Sequence, residues 1–432
     1  MSHKVVGNAA SLISMQMVGY ILPLVTIPYL LRVLGPERFG IITFSQAIMA
    51  YFIVINDYGF NLSATRDLSL CRNSRRLKSE LYFSIMAIKV LLCGISLLIL
   101  SAIIRFVPNI HAYRGVYYAS FLMVVGNMLF PVWYFQGIEK LYWISFVNIA
   151  ANIVFSVATF MTVHTSADYV RAAVIQSGGR LLAGASGIVI LFLSEDIEVC
   201  YPTLAQMRCR LMDGWHLFIS QISVSLFLSS TTVALGLLRG MTEVGYFSAA
   251  NKLLNVGQVG LGAIGQAMYP HVCSLAARSR AAVVFYLRKS LLVIGGISLA
   301  GGAFVLVFAA HIVRAVMGAQ YMEAVPVLRI MSIIPFVCAV NNIYGTQAML
   351  NFGMKRYFTY TIVCSGVLSI IVLLFLAFWF GAPGAAYSAL LFEVVQTVIL
   401  GAILRGKGII LLPLGRHKIG KIIVTEVRSN GE

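Results

Sequence analysis

A Lys or Arg inside an apolar stretch long enough to cross a bilayer is costly, and it normally faces water or a partner. Five such residues occur in this sequence: Lys89, Arg171, Arg180, Lys252 and Arg329. Arg180 lies near the middle of its stretch, too deep for easy escape to an interface, and Gln176 precedes it by one turn on the same helical face. Lys252 and Lys89 each lie about two turns inside theirs. Arg180, Lys252 and Lys89 are therefore the candidate cations of a cavity that attracts an anion. The competing roles are snorkelling for Lys89 and Lys252, and a structural salt bridge for Arg180 with Glu393 as its partner. Arg171 and Arg329 lie close enough to the ends of their stretches to snorkel.

Two polar stripes extend this chemistry. Ser145, Asn148, Asn152 and Ser156 recur at helical spacing, as do Asn251, Asn255, Gln258 and Gly262. Carboxamides and hydroxyls donate and accept, which suits a hydroxyl-bearing polar ligand; they also serve as interhelical hydrogen bonds. Glu393 is the acidic residue well inside a second-half segment, with Gln396 and Thr397 on its face. A buried carboxyl there is a candidate for ion coupling, or else a fixed partner for a basic residue. Asp57, Arg66 and Asp67 are placed to form an inner gate network. Trp133, Tyr134 and Tyr142 are candidates for stacking on a ligand, with interfacial packing as the alternative.

These side chains need helices to hold them. Hydrophobic residues make up 59% of the 432 residues and charged residues 11%, less than half the charge typical of a soluble domain, about 25%. Apolar segments are read as helices at 10–31, 40–62, 81–107, 116–138, 143–163, 170–193, 214–238, 245–270, 290–310, 326–350, 359–380 and 384–404. The strict alternation of a lipid-facing β-barrel is absent. Twenty-one Lys and Arg fall on the side of the N-terminus and six on the other, which predicts that both termini are cytoplasmic. The net charge of +17 is thus read as loop bias, with no nucleic acid partner expected. Seven cysteines without a CxxC pair, no HExxH and no P-loop predict no disulfide, metal, cofactor or direct use of ATP.

A faint repeat relates LGPERFGIITFSQA (34–47) to LRGMTEVGYFSAAN (238–251), with Gly40 and Gly245 in register 205 residues apart. Half the chain separates them. The expected organisation is an N-terminal six-helix lobe over 1–200, a C-terminal six-helix lobe over 201–404 and a basic cytoplasmic tail over 405–432.

The segments NAASLISMQMVGYILPLVTIPYLLRVLGPERFGIITFSQA (8–47), NDYGFNLSATRDLSL (56–70), FPVWYFQGIEKLYWISFVN (130–148) and LGLLRGMTEVGYFSAANKLLN (235–255) resemble the Wzx O-antigen flippase family. This is the polysaccharide-transporter branch of the MOP exporter superfamily. The resemblance implies an all-α polytopic membrane fold, MATE-like, with about twelve transmembrane helices in two six-helix bundles around a central cavity. It implies translocation of an undecaprenyl-pyrophosphate-linked oligosaccharide to the periplasmic leaflet of the bacterial inner membrane by alternating access, coupled to an ion gradient. Membrane lipid, a polysaccharide polymerase and a chain-length regulator are the other expected partners.

Two other functions fit an all-helical membrane chain. A multidrug antiporter of the same superfamily would favour acidic cavity residues, whereas the intramembrane excess here is basic. A membrane polysaccharide polymerase or ligase would need a substantial outer loop, and the longest expected here, about 311–325, is short.

Overall fold

A computed structural model describes residues 3–71 and 74–411, so most of the basic tail and Arg72 lie outside the described residues. No β-strand occurs among them. The helices are α1 (His3–Asp57), α2 (Phe60–Leu70), α3 (Arg75–Phe106), the single turn α4 (Pro108–His111), α5 (Arg114–Leu129), α6 (Val132–Gly137), α7 (Leu141–Thr162) and α8 (Tyr169–Ser194). They continue as α9 (Leu204–Arg239), α10 (Met241–Ala276), α11 (Arg280–Ile312), α12 (Val325–Met331), α13 (Ile334–Asn341) and α14 (Lys355–Gly406). Eight stretches among the described residues are long and apolar enough to cross a membrane.

Several boundaries differ from the sequence reading for identifiable reasons. The expected breaks near 35 and 382 are kinks within α1 and α14, where Gly35 (φ 74°) and Gly381 (φ 61°) leave helical geometry. The expected helix over 40–62 stops at Asp57, because Tyr58 and Gly59 both take positive φ (45° and 79°). The helix over 116–138 divides at Phe130–Pro131 into α5 and α6, since proline cannot donate to the preceding turn. Helix α9 begins ten residues earlier than expected: Thr203 and Gln206 form a reciprocal capping box that starts it at Leu204.

The described residues form two compact units, each with its own core. The first lies within Met1–Val256, Val305–Met331 and Ser369–Ala389, and the second within Gly257–Phe304, Ser332–Leu368 and the described part of Leu390–Glu432. The first unit buries Phe60, Leu68, Tyr82, Ile85, Trp133 and Tyr134 around α2, α3 and α6. Trp133 and Tyr134 are fully enclosed there, so they cannot stack on a sugar; Tyr142 is half exposed. The second unit packs Val272, Leu287, Ile343, Tyr344 and Leu400 together.

Within the first unit the faint repeat has a structural counterpart. Gly35 (φ 74°, ψ 172°) and Gly240 (φ 93°, ψ 179°) share one non-helical conformation, and a helix restarts after each. The restarted helices then touch through backbone. A Cβ on Gly40 would collide with the Met241 carbonyl, and one on Gly245 would collide with the Pro36 carbonyl. Each glycine therefore faces the carbonyl four residues before the other, a reciprocal pair in the 205-residue register. Small residues permit such close crossings in membrane helices. Nearby, the Glu243 carboxylate accepts the Ala382 N–H at 2.6 Å and so caps the helical segment that restarts after Gly381.

Gly40→Ala and Gly245→Ala should each destabilise the protein by roughly 1–3 kcal/mol, the usual cost of overpacking. Gly94→Ala, where a Cβ meets nothing within 4 Å, should be neutral or stabilising, because alanine favours a helix interior. Thermal unfolding in detergent separates them, and equal shifts for all three would contradict the crossing.

Candidate functional site

A cavity of about 510 Å³ opens within the first unit between α1, α5, α7 and α8. Its polar lining is Gln46, Ser145, Asn148, Asn152, Gln176 and Arg180; Phe155 supplies an aromatic wall. Ser145, Asn148 and Asn152 share one face of α7, and Gln176 and Arg180 share one face of α8. The Gln46 amide donates to the Gln176 side-chain carbonyl at 2.5 Å, joining α1 to α8 across the cavity. Asn148 donates to the Ile144 carbonyl at 2.8 Å, which leaves its side-chain oxygen as an acceptor. Ser156, the last residue of the expected α7 stripe, instead accepts a hydrogen bond from Thr26 at 2.9 Å.

Arg180 is fixed from behind by a close crossing of α5 and α8. A Cβ on Gly126 would lie 2.5 Å from the Arg180 carbonyl carbon and oxygen, and one on Gly184 would meet the Gly126 carbonyl. The backbone of Arg180 is thus held against α5, and the side chain stays exposed along the cavity. Among the described residues Arg180 forms no salt bridge, so the cavity carries a guanidinium, four carboxamides and a hydroxyl without a carboxylate among its lining residues. That set can bind a singly or multiply charged oxyanion and hydrogen-bond sugar hydroxyls in both directions.

Other expected site residues go elsewhere. Lys89 is not a cavity cation. It is fully buried, and its ammonium pairs with Asp57 at 3.0 Å. A buried cation without a counter-charge would be strongly unfavourable, and Asp57, at the end of α1, supplies it. Asn61 also donates to Asp57, at 2.5 Å.

The expected Asp57–Arg66–Asp67 network therefore divides at the Tyr58–Gly59 break. Asp67 pairs with exposed Arg66 at 3.0 Å and with Arg210 of α9 at 2.7 Å. Lys252 does not line the cavity either; its ammonium lies 5.2 Å from the centre of the Phe39 ring, a cation–π geometry. The α10 stripe of Asn251, Asn255 and Gln258 is likewise outside this lining, and Asn255 is exposed.

Glu393 lies in the second unit among neutral partners. Asn341 donates to its carboxylate at 2.7 Å, and the Thr397 hydroxyl donates to Asn341 Oδ1 at 2.6 Å. The Cys338 thiol also hydrogen-bonds to the carboxyl. Among the described residues no cation is paired with it.

Gln46 was missed by the sequence reading. A signal was available: in the 205-residue register Gln46 matches Asn251, a carboxamide at the same position in both copies.

At the helix ends bearing residues 74–80, 140 and 195–198, Glu195 accepts from Lys140 at 2.7 Å and from Lys78 at 3.3 Å. Burial pushes the Glu195 carboxyl up, but hydrogen bonds and charges from Lys140 and Lys78 outweigh it and hold the pKa below its ordinary 4.5. A carboxyl depressed on folding stabilises above its unfolded pKa and loses that contribution as pH falls through the folded value. Hydrogen-exchange protection of residues 195–203 should therefore hold above pH 4.5 and fall below it. A Glu195→Gln variant should lack this acid step; the same step in both proteins would contradict the clamp.

The helices, their apolar spans and this polar cavity define an all-α polytopic membrane protein. Two solved structures share the fold: the lipid II flippase MurJ in an inward closed conformation (TM-score 0.71, 12% identity, 92% of this chain and 87% of that one), and an inward-facing multidrug resistance MATE family transporter of the MOP superfamily (TM-score 0.68, 14% identity, 90% and 94%). Residues 5–276 match the family model described as polysaccharide biosynthesis protein, and the chain belongs to that family. A relative in Escherichia coli (strain K12), named "Putative O-antigen transporter", is 35% identical over 91% of this chain and 95% of its own. A relative of the same name from Shigella dysenteriae is 24% identical over 88% and 95%.

Proposed function

We propose that this protein is a flippase, not an enzyme, that carries an undecaprenyl-pyrophosphate-linked O-antigen or related repeat unit from the cytoplasmic to the periplasmic leaflet by alternating access. The single observation that carries the proposal is Arg180, a guanidinium without a carboxylate partner among the described residues, in an amide-lined cavity inside membrane-crossing helices. A lipid-linked sugar has an anionic, hydroxyl-rich head that must be shielded from hydrocarbon and a tail that needs no shielding. The O-antigen transporter relatives and the fold shared with a lipid II flippase support the same cargo class. The fold alone would equally suit a multidrug antiporter, but a lining with one cation and no acid favours an anionic cargo over a cationic drug.

In this account Arg180 attracts the phosphate or an acidic sugar, while Gln46, Ser145, Asn148, Asn152 and Gln176 exchange hydrogen bonds with the glycan. Glu393, with neutral partners, is the candidate for ion coupling. Asp57–Lys89 and Asp67–Arg210 fasten the inner end of the first unit. Lys252, Asn251, Asn255 and Gln258 are candidate contacts for cargo outside this cavity. The further elements are twelve spans in two lobes (1–200 and 201–404), cytoplasmic termini, and cooperation with a polysaccharide polymerase and chain-length regulator. The Lys and Arg bias and the repeat support the first two.

In cells lacking the native protein, Arg180→Ala should lower surface polysaccharide by about tenfold or more at matched expression, the scale of one lost charge-assisted contact. Arg180→Lys should retain part of the output; wild-type output from Arg180→Ala would remove the residue from the site. Glu393→Gln should flatten the pH dependence of transport, and an unchanged pH profile would rule out coupling at that carboxyl.

A further inference from the structure

Two long helices begin at one place in the first unit. Arg75 is the first residue of α3, Lys78 lies in its first turn, and Lys140 immediately precedes α7. Helix N-termini carry partial positive charge and attract anions, so three cations here add to two favourable dipole ends. The irregular segment after α8 fills this place with acids. Glu195 takes hydrogen bonds from Lys78 and Lys140. Arg75 pairs with Asp196, and with Glu198 at 3.2 Å. The Glu198 N–H donates to Ser79 Oγ at 2.9 Å.

The grip is uneven. Glu195 is 11% exposed, whereas Asp196 and Glu198 are 73% and 53% exposed and their pairs with Arg75 are solvent-screened. The outer part of the segment is therefore the easier to release. The hydroxyl of fully buried Tyr134 has no hydrogen-bond partner among the described residues. Apolar side chains lie near these cations in sequence: Leu77, Tyr142 and Phe146 are each about half exposed, within the first two turns of the same two helices.

We propose that Arg75, Lys78 and Lys140 form a binding site for a phosphate-bearing lipid headgroup, and that the acidic segment Glu195–Glu198 occupies it here as a displaceable internal substitute. Carboxylates already hold the positions that phosphate oxygens would take. A phosphate or pyrophosphate brings more charge and more acceptor oxygens than the carboxylate it displaces. The exposed apolar residues near the cations in sequence give the attached chain a surface to lie on. Headgroup binding would release the segment that leads into α9 and so report the presence of lipid to the rest of the chain. The Lys and Arg bias assigns this end to the cytoplasm, where cargo on the flippase reading would be loaded; the identity of the lipid rests on that reading, the site does not.

The test is native mass spectrometry of the full-length protein in detergent, titrated separately with undecaprenyl pyrophosphate, phosphatidylglycerol and phosphatidylcholine. The variant E195Q/D196N/E198Q should bind phosphate lipids of net negative charge roughly tenfold more tightly than wild type, and phosphatidylcholine no better. Adding K78Q/K140Q should remove the gain. A gain for undecaprenyl pyrophosphate alone identifies the cargo headgroup, and a gain for phosphatidylglycerol as well identifies membrane lipid; both support the site. No gain in a variant that keeps its thermal transition, or a gain that survives K78Q/K140Q, overturns it. Should loss of Glu195 unfold the protein, the exposed pair D196N/E198Q must show a smaller gain, and its failure to do so also overturns the site. The gain for phosphatidylglycerol does not depend on the flippase reading, whereas the polysaccharide output of Arg180→Ala does, so that a failed headgroup site and a failed flippase reading are told apart.

Discussion

A charge at bilayer depth must be neutralised, hydrated or moved, and this constraint sorts the ionisable residues of the protein. An isolated Lys or Arg at the centre of a membrane helix costs about 2.5–3.5 kcal/mol on insertion scales. Lys89 meets that cost with a carboxylate 3.0 Å away and is closed off from any cavity. Arg180 meets it with an open, amide-lined space. Two cations with similar sequence settings therefore do different work: one fastens α1 to α3, and the other is left available to a ligand. Glu393 is a third case, an acid among hydrogen-bonding partners of no net charge.

Backbone contact gives these groups their fixed positions. Hydrophobic burial does not draw helices together in lipid, so close packing and interhelical hydrogen bonds must. At Gly126 and Gly184 the approach of α5 and α8 sets the height of Arg180, and Gln46 ties the same helix to α1. Six residues before Gln46, Gly40 meets the helix that restarts after Gly240. One helical segment, 36–57, thus runs from the reciprocal glycine crossing, past the cavity, to the Asp57–Lys89 pair. A rigid element with a crossing at one end and an ion pair at the other is well placed to link movement at the helix ends to the shape of the cavity. Alternating access needs such a link.

The helical class and the two half-stripes that line the cavity were legible because both rest on local spacing. Ser145, Asn148 and Asn152 repeat with the helix, as do Gln176 and Arg180, and the structure brings the two sets together. What was not legible depends on partners distant in sequence. Lys89 is paired with a residue 32 positions earlier, beyond a helix break set by Tyr58 and Gly59. Hydropathy cannot show that pairing, because an enclosed ion pair and a cavity cation look alike along the chain. The α10 stripe has the same spacing as the α7 stripe yet lies outside the cavity, since periodicity fixes a face and not what that face meets. The glycine repeat was faint as letters, and only the backbone angles of Gly35 and Gly240 and their reciprocal contacts give it weight.

The central claim is that the Arg180 cavity holds the head of a lipid-linked sugar. Phe155 lines the same cavity as Arg180, so a photoreactive benzoylphenylalanine at that position samples whatever enters. Irradiation of cells making the lipid-linked repeat unit should yield a covalent adduct between protein and glycolipid, and Arg180→Ala should abolish it. No adduct from a folded, expressed protein, or an adduct indifferent to the loss of Arg180, would contradict the account.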